Sequence, residues 1–231
     1  GVITKAFYLV TGLGHQAVMI FFVLSGFLVG GSVITALQRG KWSWRTYLLR
    51  RMSRLWVVLI PALLLTLFWD KLGCSIAPEG YHGAYRELYH SGPTPFIPAD
   101  WSIATFFGNA FFLQTILVPC FGTNGPLWSL ANEFWYYLLF PLLILVFASV
   151  QRVPARMACL LLAAGILLFL PKSILVGGVI WLLGAGVFYL IQIGKIRGIV
   201  SHPLWLILSL LLTMAALLAS RSGRIGEGAD L

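Results

Sequence analysis

Long apolar runs without charged residues recur along most of the chain, separated by short polar connections. A transmembrane helix needs about 20 predominantly apolar residues, and about 17–25 are tolerated. A somewhat shorter run also suffices, because flanking Lys, Arg and Trp side chains reach back to the membrane surface. The pattern therefore predicts six spanning helices, over residues 17–37, 55–69, 134–151, 157–171, 173–194 and 198–220.

The composition excludes several classes of protein. Hydrophobic residues make up 59% of the 231 residues and charged residues only 10%, whereas an ordinary globular domain carries about 25% charged residues. A soluble enzyme, a disordered tail and a nucleic-acid module are all excluded. The predicted fold class is all-α, a polytopic transmembrane helix bundle, whose partners are membrane lipids and not nucleic acid.

The positions of the basic residues predict the orientation in the membrane. Residues 39–54 contain six Lys and Arg in one short connection, which marks the cytoplasmic side. Residues 70–126 then form an external loop. If 101–119 does not span the membrane but dips into its outer leaflet as a re-entrant or interfacial segment, ten basic residues lie inside and six outside. We therefore predict a non-spanning 101–119.

Cysteine, histidine and tryptophan carry weaker signals. Cys74 and Cys120 share the predicted external, oxidising compartment, where a disulfide is chemically possible. No spacing resembles a metal site, so no metal is predicted. Trp42, Trp44 and Trp56 lie near the predicted inner boundary, as in an aromatic belt.

One acid, Glu133, lies in a polar stripe on an otherwise apolar helix. Helical spacing of three and four places its members along one side, and such a stripe points into a protein-lined or water-filled cavity. Glu133 is therefore either a catalytic or substrate-binding carboxylate, or half of a structural ion pair with an arginine. The proposed substrate-binding residues of the stripe and its flank are Trp128, Ser129, Asn132, Tyr136 and Tyr137.

Three arginines stand where the second predicted helix leaves the cytoplasm. Arg51 and Arg54 lie three residues apart, on one helix face, and paired guanidinium groups hold a phosphate well. Arg50 adds a third donor beside them. A purely topological role for this charge stays open. His15 lies at the outer end of the first predicted helix and is a second candidate for chemistry.

Three segments resemble the signatures of the membrane acyltransferase 3 family, in the same order. The first is Ala17-Val18-Met19-Ile20-Phe21-Phe22-Val23-Leu24-Ser25-Gly26-Phe27-Leu28, which is similar to the family's second-helix signature. The second is Arg50-Arg51-Met52-Ser53-Arg54-Leu55-Trp56, followed by Pro61. The third is Leu127-Trp128-Ser129-Leu130-Ala131-Asn132-Glu133-Phe134-Trp135-Tyr136-Tyr137, followed by Pro141. The strong resemblance covers residues 14–141.

The resemblance implies a multipass O-acyltransferase of the bacterial inner membrane. Its donor is a cytosolic acyl-CoA, in particular acetyl-CoA, held by the arginine motif at Arg51 and Arg54. Its acceptor is a hydroxyl of a cell-surface or exported glycan. Acyl-CoA is a substrate here, and no permanently bound cofactor is implied.

The chain also departs from the family pattern. The family's catalytic histidine lies on a first helix, which would precede Gly1, and the Asp common at the position of Met19 is missing. The family has about ten helices, more than the six predicted here. We therefore expect residues 1–231 to be one acyltransferase domain in part, an internal piece that is inactive alone, with Glu133 and His15 as its catalytic candidates.

A different function class stays open from the sequence. A proton-coupled transporter or flippase would use Glu133 as its coupling acid and the glycine-rich helices as moving parts. The two halves of the chain show no inverted repeat, which disfavours it. Binding of acyl-CoA separates the two functions.

Overall fold

The computed structural model describes residues 14–78, 99–148 and 152–194, without the side chain of His15. These residues form helices and loops and contain no β-strand, which confirms the all-α class. The sixth predicted span, 198–220, lies outside the described residues. The helices are α1 (Gly14–Ser25), a π-helical turn (Gly26–Gly30), α2 (Gly31–Gln38), α3 (Trp44–Ile76), α4 (Ile103–Ala110), α5 (Leu127–Phe147), α6 (Val153–Phe169) and α7 (Lys172–Gln192).

Four helical stretches in the described part are long and apolar enough to cross a membrane. They are Gln16–Gln38, which runs from α1 through α2, and α3, α5 and α7. Helix α6 is apolar but has only 17 residues. The first and fifth predicted spans agree with these bounds to within two residues, because an uninterrupted apolar run there coincides with the helix.

Three predicted spans differ from the helices. The predicted 157–171 corresponds to α6, which begins four residues earlier, at Val153, and the other two are α3 and α5. Helix α3 has 33 residues and extends about 50 Å at 1.5 Å per residue, so the predicted 55–69 is only its middle. Ser43 starts it by accepting a hydrogen bond from the Thr46 N–H at 3.4 Å. Helix α5 begins at Leu127, seven residues before the predicted 134. In both helices polar residues stay helical, so an apolar run underestimates the length.

The chain divides into two compact units, residues 40–174 and residues 1–39 with 175–231. Within the latter, two glycines bring helix backbones together. A Cβ on Gly26 would overlap the Trp181 carbonyl, and a Cβ on Gly184 would overlap the Val23 carbonyl. Beside this contact the buried Trp181 indole donates to the Ser25 hydroxyl at 3.1 Å. Small residues at such a contact permit close helix packing.

In the unit formed by residues 40–174, helix α5 lies at the centre. It is the most buried of the four candidate spans and packs chiefly along α6. At its C-terminal end the Arg156 guanidinium donates to the Val146 carbonyl at 2.7 Å. This bond satisfies a carbonyl that the helix end leaves without an intrahelical partner.

The described residues between α3 and α5, 99–126, form a loop whose two ends meet, which we call the returning segment. Its ends are joined by the Gly122 N–H, which donates to the Asp100 carbonyl at 2.9 Å. Helix α4 has only eight residues, too few to span a membrane. After it, Phe112 and Thr115 adopt left-handed backbone conformations with φ of 60° and 65°. Such conformations in non-glycine residues persist only when the surroundings hold them.

Candidate functional site

The polar residues of α5 occupy two neighbouring faces with different partners. The Tyr137 hydroxyl donates to the Glu133 carboxylate, one helical turn away. The Tyr136 hydroxyl donates instead to the Ile174 carbonyl at 2.6 Å, and Asn132 hydrogen-bonds Tyr136. The single stripe predicted from the sequence is therefore two, because consecutive residues on a helix point about 100° apart.

The face of Glu133 and Tyr137 meets α3. The Tyr47 hydroxyl, on the first turns of α3, donates to the Tyr137 carbonyl at 2.9 Å. Tyr47, Glu133 and Tyr137 are all buried, with Glu133 only 4% exposed. An acid this deeply buried costs free energy unless it has partners, so the tyrosines and nearby positive charge are part of one arrangement.

Arg51 completes this arrangement, which we call the central cluster: Tyr47, Arg51, Glu133 and Tyr137. The guanidinium carbon lies 5.8 Å from the Tyr47 ring centroid and 5.7 Å from the Tyr137 ring centroid. Both distances are within the range of cation–π attraction. Tyr47 also lies within electrostatic reach of both Arg51 and Glu133. A cation, a carboxylate and two phenols thus share one buried site.

The arginines of the predicted donor site differ in their surroundings. Arg51 is half-buried against the two rings, whereas Arg50 and Arg54 are exposed. Arg51 and Tyr47 are four residues apart, so they share a face of α3. That spacing is the signal in the sequence that would have found Tyr47.

Two further predicted site residues, Trp128 and Ser129, lie on the first turn of α5, before Glu133. The Ser129 hydroxyl donates to the Pro126 carbonyl at 2.9 Å, within its own turn. Trp128 is half-buried one residue before it. The side chain of His15 lies outside the described residues, so its place in the site stays a prediction.

A second aromatic group lies next to the central cluster and includes one of its members. We call Trp42, Trp44 and Tyr47 the inner aromatic cluster. The Trp42 ring centroid is 5.2 Å from that of Trp44 and 5.1 Å from that of Tyr47. Trp44 also lines an apolar cavity of about 290 Å³ between α5 and α6. Trp42 and Trp44, two of the three tryptophans near the predicted inner boundary, therefore pack on each other and on Tyr47 of the central cluster.

Sequence reasoning also missed a buried carboxylate that holds the returning segment. Asp70 is 4% exposed and accepts hydrogen bonds from the Thr123 N–H and hydroxyl at 2.8 and 2.6 Å and from the Trp101 indole at 2.9 Å. Asn109 performs a similar task by bonding the carbonyls of Thr105 and Pro119. Asp70 directly follows the predicted span 55–69, and the sequence pattern alone predicts no role for it beyond that boundary.

The returning segment contacts α3 and α5 through aromatic side chains. Phe112 stacks on Phe134 with ring centroids 4.5 Å apart, and its carbonyl accepts from the Trp135 indole at 3.0 Å. The Trp56 indole donates to the Ala110 carbonyl at 2.9 Å. Trp56, which is near the predicted inner boundary, thus hydrogen-bonds to the protein backbone and does not serve only at a membrane surface.

Cysteines offer neither a metal site nor a cross-link in the described structure. No group of three or more His, Cys, Asp or Glu side chains within residues 14–78, 99–148 and 152–194 is placed to hold a metal ion. Cys74 and Cys120 are free thiols, so the possible disulfide is not formed. The Cys120 thiol donates to the Gly125 carbonyl, and burial raises its pKa to about 11.

A comparison with protein families identifies the domain. A model described as an acyltransferase domain, that of the acyltransferase 3 family, matches residues 2–225. The chain belongs to the acyltransferase 3 family. Together with the four candidate spans, this makes it an acyltransferase domain of a multipass membrane protein.

One relative of this acyltransferase 3 domain adds no assigned activity. An uncharacterized protein of Haemophilus influenzae, strain Rd, is 29% identical over 132 residues, which are 55% of this chain and 48% of that protein. The chain thus spans about half the length of this curated relative. No solved structure matches the chain.

Within the acyltransferase 3 domain, the central cluster unites two of the segments that carried the resemblance. Arg51 comes from the arginine motif on α3, and Glu133 and Tyr137 come from the motif at the start of α5. These residues are more than eighty positions apart in the sequence. Their meeting is the feature from which a mechanism can be built.

Proposed function

We propose that this domain belongs to an O-acyltransferase of the bacterial inner membrane. It transfers an acetyl or other short acyl group from cytosolic acyl-CoA to a hydroxyl of a cell-surface or exported glycan. The observation that carries the proposal is the central cluster, in which Arg51 and Glu133 share two tyrosines. Family membership supports the acyl transfer, and the cluster supplies the charges that such a transfer requires.

The arginines provide the donor side of the proposed reaction. Coenzyme A carries several phosphate charges, and guanidinium groups bind phosphate through paired hydrogen bonds. The exposed Arg54 is available to an incoming ligand, whereas the half-buried Arg51 links that ligand to the central cluster. The two residues therefore have different tasks: Arg54 attracts the donor, and Arg51 holds the end nearer the chemistry.

The central cluster provides charge stabilisation at the proposed reacting centre. The acceptor hydroxyl oxygen attacks the thioester carbonyl carbon, the carbon–sulfur bond breaks, and the hydroxyl proton leaves with coenzyme A as its thiol. Negative charge develops on the carbonyl oxygen, where a preorganised cation such as Arg51 is effective. Glu133, which accepts a hydrogen bond from the Tyr137 hydroxyl, is the carboxylate that would take the proton from the acceptor hydroxyl during the attack.

The donor side is tested by substitution in the full-length protein. Arg51→Gln and Arg54→Gln should each weaken acetyl-CoA binding about 10-fold, since a charged hydrogen bond contributes about 1.5–3 kcal/mol. Arg152→Gln is the matched control, because Arg152 is an exposed arginine at the start of a different helix, α6. Equal binding in all three variants would reduce these arginines to topological markers.

The acceptor side needs a comparison in cells. Mass spectrometry of surface glycans, with and without the gene, should show loss of one acyl substituent when the gene is absent. The result that would favour a transporter is different. The purified protein would then neither bind acetyl-CoA nor alter any glycan, and it would carry protons across vesicle membranes in a way that depends on Glu133.

A further inference from the structure

Trp42 carries a buried hydrogen-bond donor without an acceptor in the part of the chain that the structure describes. Its indole nitrogen is enclosed, and no described group accepts from it. Trp56, Trp101 and Trp135 show the usual behaviour, since each donates its indole N–H to a carbonyl or carboxylate. Buried donors are paired in the great majority of proteins, and an unpaired one calls for a specific explanation such as a ligand.

The interfacial-belt interpretation does not explain this nitrogen. A tryptophan in a membrane-interface belt turns its N–H toward water or lipid headgroups, whereas the Trp42 N–H is enclosed. Trp42 precedes α3 and lies in no helix. Its flanking residues Lys41 and Ser43 are exposed, so the indole can adjust to a ligand without disturbing a helix.

The neighbours of Trp42 belong to the proposed donor side. Trp42 packs on Tyr47 at 5.1 Å between ring centroids, and the Arg51 guanidinium carbon lies 5.8 Å from the centroid of that same Tyr47 ring. Trp42 and Arg51 are therefore joined through one shared phenol. A ligand held by Arg51 needs to reach only across Tyr47 to meet the indole.

The charge around this end of α3 favours an anion. Four exposed basic residues surround the inner aromatic cluster in sequence: Lys41, Arg45, Arg50 and Arg54. No Asp or Glu occurs between residues 39 and 69. Glu133 of the central cluster lies near Tyr47, but these four residues and Arg51 outnumber it, and a local excess of positive charge attracts phosphorylated ligands.

We propose that the Trp42 indole N–H donates a hydrogen bond to a phosphate or carbonyl oxygen of the acyl donor, so that Trp42, Tyr47 and Arg51 form one donor-binding surface. This inference rests on the proposed function, because it takes acyl-CoA as the ligand. The same oxygen chemistry is found in anionic phospholipid headgroups, and the experiment separates the two sources.

The test measures acetyl-CoA binding to the full-length protein in nanodiscs, by calorimetry. Trp42→Phe keeps an aromatic ring and removes the N–H, and should weaken binding about 10-fold. Trp44→Phe is the matched control, because it makes the same change on the neighbouring ring of the inner aromatic cluster. It should bind within about 2-fold of wild type, as expected where no ligand hydrogen bond is lost.

Nanodiscs of pure phosphatidylcholine and nanodiscs with phosphatidylglycerol distinguish the two sources of oxygen. A donor contact gives the same 10-fold loss in both lipids, whereas a loss seen only with phosphatidylglycerol assigns the N–H to a headgroup and overturns the proposal. If Trp42→Phe folds poorly, ¹⁵N-indole NMR of the wild-type protein replaces it. An indole resonance that shifts downfield when acetyl-CoA is added, both in the wild-type protein and in Trp44→Phe, supports the proposal. If no indole resonance shifts when acetyl-CoA is added, the proposal is overturned.

The remaining outcomes separate this inference from the function on which it rests. If Trp42→Phe binds acetyl-CoA as tightly as the wild-type protein does, the inference about Trp42 is overturned, but the proposed function is not. Equal losses in Trp42→Phe and Trp44→Phe also overturn it, since the aromatic packing and not the N–H is then responsible. A wild-type protein that does not bind acetyl-CoA overturns both.

Discussion

At the scale of single residues, Glu133 is the buried acid of the central cluster, and substitution tests its proposed role. Glu133→Gln keeps the size of the side chain and an oxygen that accepts from the Tyr137 hydroxyl. The negative charge near Tyr47 and Arg51 is lost. Because a hydrogen bond to a charged group contributes about 1.5–3 kcal/mol, we expect acyl transfer to fall about 10–100-fold. Turnover per milligram of extracted protein measures this.

The yield of the same variant distinguishes a chemical from a structural role. A carboxylate needed only as half of an ion pair would leave a stranded charge when replaced, which lowers stability. Reduced extraction with unchanged specific activity would therefore contradict a catalytic role. We expect the opposite, namely normal extraction and low activity.

Cys120 gives a prediction that follows from its environment alone. Burial raises the pKa of the thiol to about 11, and only the thiolate reacts with alkylating reagents. At pH 8 about one thiol in a thousand is then ionised, so maleimide should label the less buried Cys74 far faster than Cys120. Mass spectrometry of timed samples gives the two rates. Equal rates would show that Cys120 is not buried as described.

At the scale of elements, the contact between α1 and α7 depends on glycine. Gly184→Ala puts a Cβ onto the Val23 carbonyl, and overpacking of this kind costs about 1–3 kcal/mol. Gly186→Ala is the matched control on the same helix, because a Cβ there meets nothing within 4 Å. Thermal unfolding in detergent should show a lower midpoint for the first variant only. A similar midpoint for both would argue against the close crossing.

The returning segment between α3 and α5 depends on Asp70. Asp70→Asn replaces a carboxylate that accepts three hydrogen bonds, and its amide NH₂ faces groups that are themselves donors. Loss of charged hydrogen bonds predicts a cost of about 2 kcal/mol. Limited proteolysis should then cut residues 99–126 sooner than in wild type. Wild-type protection would show that Asn109 and the aromatic contacts hold the segment without Asp70.

At the scale of the whole molecule, the orientation in the membrane stays a prediction from charge. In a cysteine-free background, Ala77→Cys should react with an impermeant thiol reagent added to intact cells, because residues 70–126 are predicted outside. Ala155→Cys should react only after the membrane is opened, because residues 152–156, at the start of α6, are predicted inside. Labelling of residue 155 from outside would reverse the assignment.

The sequence alone was sufficient for the class of molecule and for its family. Apolar runs of membrane-spanning length require a helical bundle, since lipid offers no partner for unpaired backbone groups. Three short segments carried a resemblance that the family comparison confirms. These features are local, because hydrophobic length and motif identity do not depend on which helices become neighbours.

Only the tertiary structure decided which polar residues meet. Helical spacing placed Asn132, Glu133, Tyr136 and Tyr137 on one side of α5. In the structure the Tyr136 hydroxyl donates to the Ile174 carbonyl, whereas the Tyr137 hydroxyl donates to Glu133, on the face that meets α3. The structure likewise turns Arg51 toward the tyrosines while Arg54 stays exposed. The physical reason is that helical period fixes the angle between side chains on one helix, whereas the rotation of each helix and the choice of its neighbour depend on packing with residues far away in the sequence.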